Sequence, residues 1–70
     1  MNRLELNKEI YSVKKIEEVR KIYEEYAVIR IIHEKTKTVI IFDDCKYDEK
    51  QTMKEFENYL IGLENSYGNI

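Results

Sequence analysis

The side chains best suited to chemistry in this 70-residue sequence are its one histidine, His33, and its one cysteine, Cys45. A cysteine next to a histidine base can act as a nucleophile when the two atoms lie within about 3 Å. The residue types alone do not place the pair within that distance. We interpret His33 as the end of a strand hairpin and Cys45 as a half-buried thiol. We therefore predict no catalytic residue and no enzymatic activity.

A cluster of acidic residues offers oxygen ligands of the kind that Ca²⁺ and Mg²⁺ prefer. Its members are Asp43, Asp44, Asp48 and Glu49. The segment lacks the glycine of an EF-hand loop, and a helix N-terminus, with its partial positive charge, explains Asp48 and Glu49 better. One cysteine and one histidine also exclude a four-ligand zinc site built from those two residue types. We predict no metal and no cofactor.

Composition describes one small domain, residues 1–70, with 12 Lys and Arg against 14 Asp and Glu and a net charge of −2. That charge, with glutamates interleaved among the lysines of the first predicted helix, argues against a nucleic-acid partner. The two glycines lie near the C-terminus, so neither type of phosphate-binding glycine loop is possible. No stretch approaches the roughly 20 apolar residues of a membrane span, and residues 1–9 lack the pattern of a secretory signal. We expect a cytoplasmic protein that does not contact a membrane.

Hydrophobic periodicity predicts five elements. Residues Arg3–Asn7 alternate like a strand, and Ser12 is a suitable N-cap for an amphipathic helix over residues 13–26. The β-branched segments Ala27–His33 and 38–43 predict two strands joined by a connector at residues 34–37, which is a hairpin.

A second helix is predicted from two overlapping capping boxes, Asp48 with Gln51 and Thr52 with Glu55. Gly68 stands where a helix commonly ends. The apolar stripe of this helix consists of Met53, Phe56, Leu60, Leu63 and, at its end, Tyr67.

The order β-α-β-β-α indicates an α+β fold, a two-layer sandwich in which a three-stranded sheet carries both helices on one face. We expect the sheet order 1-3-2, because it places the most apolar strand, residues 38–43, in the centre. The order 1-2-3 with a parallel first pair is the second choice, and a winged-helix arrangement is the third.

Both alternate sets of side chains in the predicted hairpin are apolar, although helices on one face of a sheet bury one set only. The other set either remains as an exposed patch on a monomer or is covered by a partner. We expect a partner, either a second copy in a homodimer or another protein or peptide, because so short a chain builds only a small core. The predicted partner-binding residues, if they lie opposite the helices, are Ile29, Ile31, Val39 and Ile41. The sequence does not decide which face is open.

Six tyrosines stand along the chain. Tyr23, Tyr26 and Tyr59 lie on or beside the apolar stripes, so we interpret them as amphipathic residues at the edge of the core. Tyr11, Tyr47 and Tyr67 fall near the ends of elements, where aromatic residues also serve protein interfaces.

Four short segments resemble the small HxsD-type proteins of the His-Xaa-Ser peptide-maturation system. They are EIYS at residues 9–12, AVIRI at 27–31, TVIIF at 38–42 and EFENYL at 55–60, within a likeness that spans residues 4–63. The resemblance implies an accessory role beside a radical S-adenosylmethionine enzyme and a modified precursor peptide. The chain departs from the family after Leu60, because residues 62–65 lack the expected basic ending.

We therefore predict a non-enzymatic interaction module that binds a protein or peptide through the open sheet face and an edge strand. The alternative is a small homodimeric regulator that binds a metabolite between its subunits.

Overall fold

The computed structural model describes residues 2–68, with side chains as far as residue 65. Its elements in chain order are β1 (Arg3–Asn7), α1 (Val13–Tyr23), β2 (Ala27–His33), β3 (Lys37–Cys45) and α2 (Glu49–Gly68). The predicted α+β class and the order β-α-β-β-α are confirmed. No helix within residues 2–68 combines the length and apolarity that crossing a membrane requires.

The three strands form one antiparallel sheet in the predicted order, β1-β3-β2. Leu4 lies opposite Ile40 on one side of β3, and Ile31 lies opposite the same residue on the other side. The central strand is also the most buried one, since Thr38, Val39, Ile40 and Phe42 are all nearly inaccessible to solvent.

The core lies between the sheet and the two helices. Phe42 of β3 meets Phe56 of α2 edge to face, with ring centroids 5.4 Å apart. All strand residues of the core project from one sheet face, so both helices cover that face and the molecule has two layers, as predicted. The buried core residues are Leu6, Ile16, Val19, Ala27, Ile40, Phe42, Phe56 and Leu60.

A β-bulge interrupts the pairing of β2 with β3. Val28 lies opposite Asp44, whereas the next residue, Ile29, lies opposite Phe42, so Asp43 is the extra residue. The bulge reverses the alternation of side chains along β3. Phe42 and Cys45 consequently both pack towards the helices although they stand three positions apart. Because pairing with β2 continues after the bulge, β3 ends at Cys45 and not at the predicted residue 43.

Helix α1 begins at its predicted cap. The Ser12 hydroxyl accepts a hydrogen bond from the Lys15 amide at 3.3 Å. The helix ends at Tyr23, three residues before the predicted end, because the Tyr26 amide turns back to donate to the Tyr23 carbonyl at 2.8 Å. This tight turn brings Ala27 into β2, where it is buried opposite Cys45.

Helix α2 begins at the first predicted capping box. An Asp48 carboxylate oxygen accepts a hydrogen bond from the Gln51 amide at 2.9 Å. The second predicted box is wrong, because Thr52 lies inside the helix and its hydroxyl donates to the Asp48 carbonyl oxygen at 2.8 Å. Gly68 is the last residue of the helix, as predicted. The predicted stripe residue Tyr67 lies outside the described side chains.

Candidate functional site

The sheet face opposite the helices, called the open face below, is one of two surfaces that could bind a partner. Within residues 2–68, neither helix packs on it. Three of its positions are aligned across the sheet, since Val39 of β3 lies opposite Glu5 of β1 and opposite Ile32 of β2. From the register, its residues are Arg3, Glu5, Asn7, Val28, Arg30, Ile32, Lys37, Val39, Ile41 and Asp44. The bulge residue Asp43 joins them through its ion pair with Arg30.

The apolar part of the open face is concentrated on the β2 side. Val28 and Ile32 are 58% and 42% exposed, and Ile41 is half-buried. Val39 is almost fully buried even though it faces away from the helices. The central strand is therefore covered by its own neighbours on this face, and the exposed aliphatic surface follows β2.

Ion pairs cover the β1 side of the open face. Glu5 accepts a hydrogen bond from the Lys37 ammonium group at 2.8 Å and lies 3.1 Å from Arg3. The Lys37 hydrogen bond, with the charges of both cations, lowers the pKa of Glu5. Near the bulge, the Arg30 guanidinium group donates two hydrogen bonds to Asp43, at 2.6 and 2.9 Å, and these lower the pKa of that carboxyl.

The four predicted partner-binding residues do not share a face. Ile29 and Ile31 pack against the core on the helix side, whereas Val39 and Ile41 project from the open face. The sequence grouping is corrected accordingly, because a single sheet face cannot present residues of both alternations. Of the two open-face members, only Ile41 retains substantial solvent access, and the more exposed aliphatic neighbours are Val28 and Ile32.

The outer edge of β2 is an unpaired strand edge. The Glu34 amide donates to the Lys37 carbonyl at 2.9 Å, and hydrogen-bonded pairs alternate along an antiparallel ladder. Arg30 and Ile32 therefore direct their backbone groups at β3, and Ile29 and Ile31 direct theirs outward. Within the described part of the chain, no backbone or side-chain group bonds to the outward groups of Ile29 and Ile31.

The other edge strand, β1, is shorter and partly closed. It has five residues, whereas β2 has seven. The carbonyl of its last residue, Asn7, already accepts hydrogen bonds from the amides of Ile10 and Tyr11, at 3.1 and 3.0 Å. β1 therefore offers a shorter free edge than β2 does.

The second surface is a cleft of about 860 Å³ between the end of α1, the segment after β3 and the first half of α2. We call it the tyrosine cleft. The rings of Tyr26 and Tyr47 lie 6.2 Å apart, and Tyr23 makes edge contacts with Tyr26 and Tyr59 at 5.9 and 6.3 Å. The lining residues are Ile22, Tyr23, Tyr26, Tyr47, Asp48, Gln51, Thr52, Glu55, Asn58 and Tyr59.

The tyrosine cleft holds more exposed apolar side chains than the open face does. Of the nine large hydrophobic residues exposed in the described region, four line the cleft and two lie on the open face. Burial, reinforced by the charge of Glu55, raises the pKa of the Tyr23 hydroxyl. The cleft is thus aromatic and negatively charged.

The structure does not bring His33 and Cys45 together. His33 pairs with Thr38 at one end of the hairpin, and Cys45 pairs with Ala27 at the other end. Six strand positions separate the two ends, which corresponds to about 20 Å. Burial, with the charges of Glu49, Asp44 and Asp48, raises the pKa of the Cys45 thiol and keeps it protonated. This pair therefore does not form a nucleophile and base.

The predicted acidic cluster does not form one site, because two of its residues have separate structural roles. Asp43 pairs with Arg30, and Asp48 caps α2. Among the residues described here, no three His, Cys, Asp or Glu side chains are arranged to hold a metal ion.

Sequence reasoning did not assemble the tyrosine cleft, although one signal was present. Ala27 and Cys45 face each other at the open end of the hairpin, so the residues just outside that end must approach one another. Tyr26 precedes Ala27, and Tyr47 follows Cys45 by two positions. The observed pairing of β2 with β3, continued past the bulge, brings these two aromatic residues into contact.

No protein-family model, curated protein or solved structure matches this chain. The resemblance to HxsD-type proteins stays a prediction, and the open face with its β2 edge and the tyrosine cleft are the two surfaces that can indicate a function.

Proposed function

We propose that this protein is a non-enzymatic interaction module that binds a protein or peptide by strand addition at the β2 edge. The observation that carries the proposal is the outward backbone of Ile29 and Ile31, which is unpaired within residues 2–68. A row of free amide and carbonyl groups on an edge strand is a template for another strand.

The energetics of such an interaction are moderate. A strand that spans β2 makes about three or four backbone hydrogen bonds, each contributing about 0.5–1.5 kcal/mol net. Val28 and Ile32 are on the edge strand and are 58% and 42% exposed, so a partner that also covers them buries additional apolar surface. Hydrogen bonds supply the register, and the aliphatic contacts supply much of the affinity.

The ion pair between Arg30 and Asp43 is the charged feature beside the β2 edge, and it favours one orientation of a partner strand. Arg30 is the charged residue of this strand, and its guanidinium group is held by Asp43 through two hydrogen bonds. The exposed aliphatic side chains Val28 and Ile32 flank it on the same face. A partner side chain directed at this position meets a fixed ion pair between two apolar contacts.

The resemblance to HxsD-type proteins suggests which partners to test first. These are a precursor peptide and the radical S-adenosylmethionine enzyme that modifies it, both in the cytoplasm. An extended peptide segment is well suited to strand addition, because it needs no folded structure of its own.

A second copy of the chain is the alternative occupant of the β2 edge. Antiparallel pairing of β2 with its copy would join the two sheets into one of six strands. In an antiparallel pairing centred near Arg30, Val28 of one copy would lie beside Ile32 of the other on the open face. Scattering measurements of molar mass as a function of concentration distinguish this occupant from a different protein.

The test compares Ile32→Lys with Ile10→Lys in tagged protein mixed with extract of the native cell. Ile32 lies on the open face, and Ile10 is 61% exposed in the turn before α1, so both substitutions place a lysine at an exposed isoleucine. The proposal predicts proteins or peptides that are retained by the wild type and Ile10→Lys and reduced at least tenfold with Ile32→Lys. Identical retention by all three proteins would refute it.

A further inference from the structure

The aromatic side chains of the tyrosine cleft remain without a role in strand addition. Tyr26, Tyr47 and Tyr59 are 40%, 63% and 46% exposed, so part of each ring is open to a ligand. Tyr23 lies deeper and contacts both the cleft rings and Phe56 of the core, the latter at 5.5 Å. The exposed rings are therefore anchored to the core through Tyr23, which gives the cleft a fixed floor.

The charged residues that line the cleft are both acidic, Asp48 and Glu55. Asp48 uses one carboxylate oxygen to cap α2. Glu55 forms no ion pair within the described part of the chain. Burial is the main cause of the raised pKa of Tyr23, and the charge of Glu55 adds to it.

We infer that the tyrosine cleft binds the guanidinium group of an arginine side chain from a peptide partner. Aromatic faces attract cations, and a planar guanidinium group can also stack on a ring and donate hydrogen bonds to a carboxylate. Glu55 provides that carboxylate. The volume of about 860 Å³ lies in the range of ligand sites and accommodates the long side chain with its flanking backbone.

The N-terminus of α2 does not make the cleft a binding site for anions. Its partial positive charge would attract an anion, but the Asp48 carboxylate already accepts a hydrogen bond from the Gln51 amide at that position. A cation is also present beside the aromatic wall, since the Lys46 ammonium group lies 5.9 Å from the centroid of the Tyr47 ring. This geometry shows that a cation can approach the Tyr47 ring.

The cleft is continuous with the proposed strand-addition surface. Tyr26 lines the cleft, and Ala27, the next residue, begins β2. A peptide paired with β2 and extending past Ala27 would therefore come close to Tyr26 and the cleft. The arginine site rests on the proposed function for its peptide source, and it adds a chemical requirement to the partner sequence.

The test is an NMR titration of ¹⁵N-labelled protein with acetyl-arginine N-methylamide at constant ionic strength. The matched probe is acetyl-citrulline N-methylamide, which keeps the size of the side chain and removes its charge. We expect a dissociation constant on the order of 1–10 mM for the arginine probe and about tenfold weaker binding of the citrulline probe. Shift changes should include the amides of Tyr47, Gln51 and Glu55.

Variants separate the aromatic and ionic contributions. Glu55→Gln should weaken arginine binding about threefold to tenfold, whereas Glu57→Gln, on the same helix but outside the cleft, should leave it unchanged. Tyr47→Phe keeps the ring and should retain binding, whereas Tyr47→Ala should reduce it at least threefold. The Phe variant also shows that a loss in the Ala variant comes from the missing ring.

Three results would overturn the inference: equal binding of the two probes, shift changes located away from the cleft, or cleft shifts that depend on protein concentration alone. The last of these assigns the cleft to self-association. The arginine probe is too short to add a strand to β2. Its failure therefore removes the arginine site only, whereas failure of the Ile32 experiment removes the strand-addition proposal.

Discussion

Ile32 and Val39 lie directly opposite each other on the open face, yet Ile32 is 42% exposed and Val39 is 1% exposed. The difference arises because Val39 is on the central strand, between Ile32 and the Glu5–Lys37 ion pair. The aliphatic parts of such long charged side chains cover apolar neighbours while their charges remain in solvent. Val39 therefore stabilises the fold, and Ile32 is available to a partner.

The first prediction tests this division of roles. Val39→Ala should lower the free energy of unfolding by about 2 kcal/mol, because it removes buried methyl groups from a packed position. Ile32→Ala should cost less than about 1 kcal/mol, although it removes more atoms, since Ile32 is already half exposed. Urea unfolding followed by circular dichroism measures both. A larger loss for Ile32→Ala would contradict the division.

The second prediction concerns Thr38, whose hydroxyl is buried and has no hydrogen-bond partner within the described residues. Thr38→Val keeps the branched shape and removes the unsatisfied group, so it should raise the free energy of unfolding by about 1 kcal/mol. The control is Thr52→Val, which removes a hydroxyl that does donate to the Asp48 carbonyl oxygen. That control should not be stabilised, and equal gains in both variants would refute the explanation.

The third prediction concerns the link between the two helices at Glu64. This carboxylate lies 3.0 Å from the Lys15 ammonium group and accepts a hydrogen bond from the Ser12 amide at 3.1 Å. Partial burial acts to raise its pKa, but the bonds from Lys15 and Ser12 outweigh that effect and lower it overall. A carboxyl with a lowered pKa stabilises the folded state when it is ionised, and this contribution is lost as the pH falls.

Glu64→Gln should therefore lower the free energy of unfolding by about 0.5–1 kcal/mol at pH 7. The difference from the wild type should shrink as the pH falls below the unperturbed value of 4.5 and through the lower pKa of the folded state. Glu18→Gln, on the exposed side of α1, is the matched control and should show no such dependence. Chemical unfolding at pH 7, 5 and 3 measures all three proteins, and a constant difference across that range would contradict the assigned cause.

The strands and their order could be predicted because their patterns are local. The alternation in β1 and the β-branched residues of β2 and β3 identify the three strands. The short connections between elements then restrict the possible strand orders to a few. The faces could not be assigned in the same way. Both alternate sets of β2 contain aliphatic residues, and a single charged residue, Arg30, is the one local sign that its set faces away from the helices and that Ile29 and Ile31 face towards them.

Other differences arise from contacts between distant residues. The bulge at Asp43 has no glycine or proline to mark it, and it depends on the pairing of two strands. Thr52 has the residue type of a cap, but Asp48, four residues earlier, is the N-cap of α2. Thr52 therefore lies inside the helix, where its side chain is buried. The tyrosine cleft needs the ends of α1 and β3 beside α2, which only the folded arrangement provides.

The most direct test of the central claim is residue-resolved hydrogen exchange of the β2 amides in the isolated protein, measured over a range of concentrations. If the outer edge is free, the amides of Ile29 and Ile31 exchange much faster than those of Arg30 and Ile32, which donate to β3. This alternation should be clearest at the lowest concentration, where a second copy is absent. Equal protection of all four amides at that concentration would show that the β2 edge is already occupied within the chain and would contradict the account.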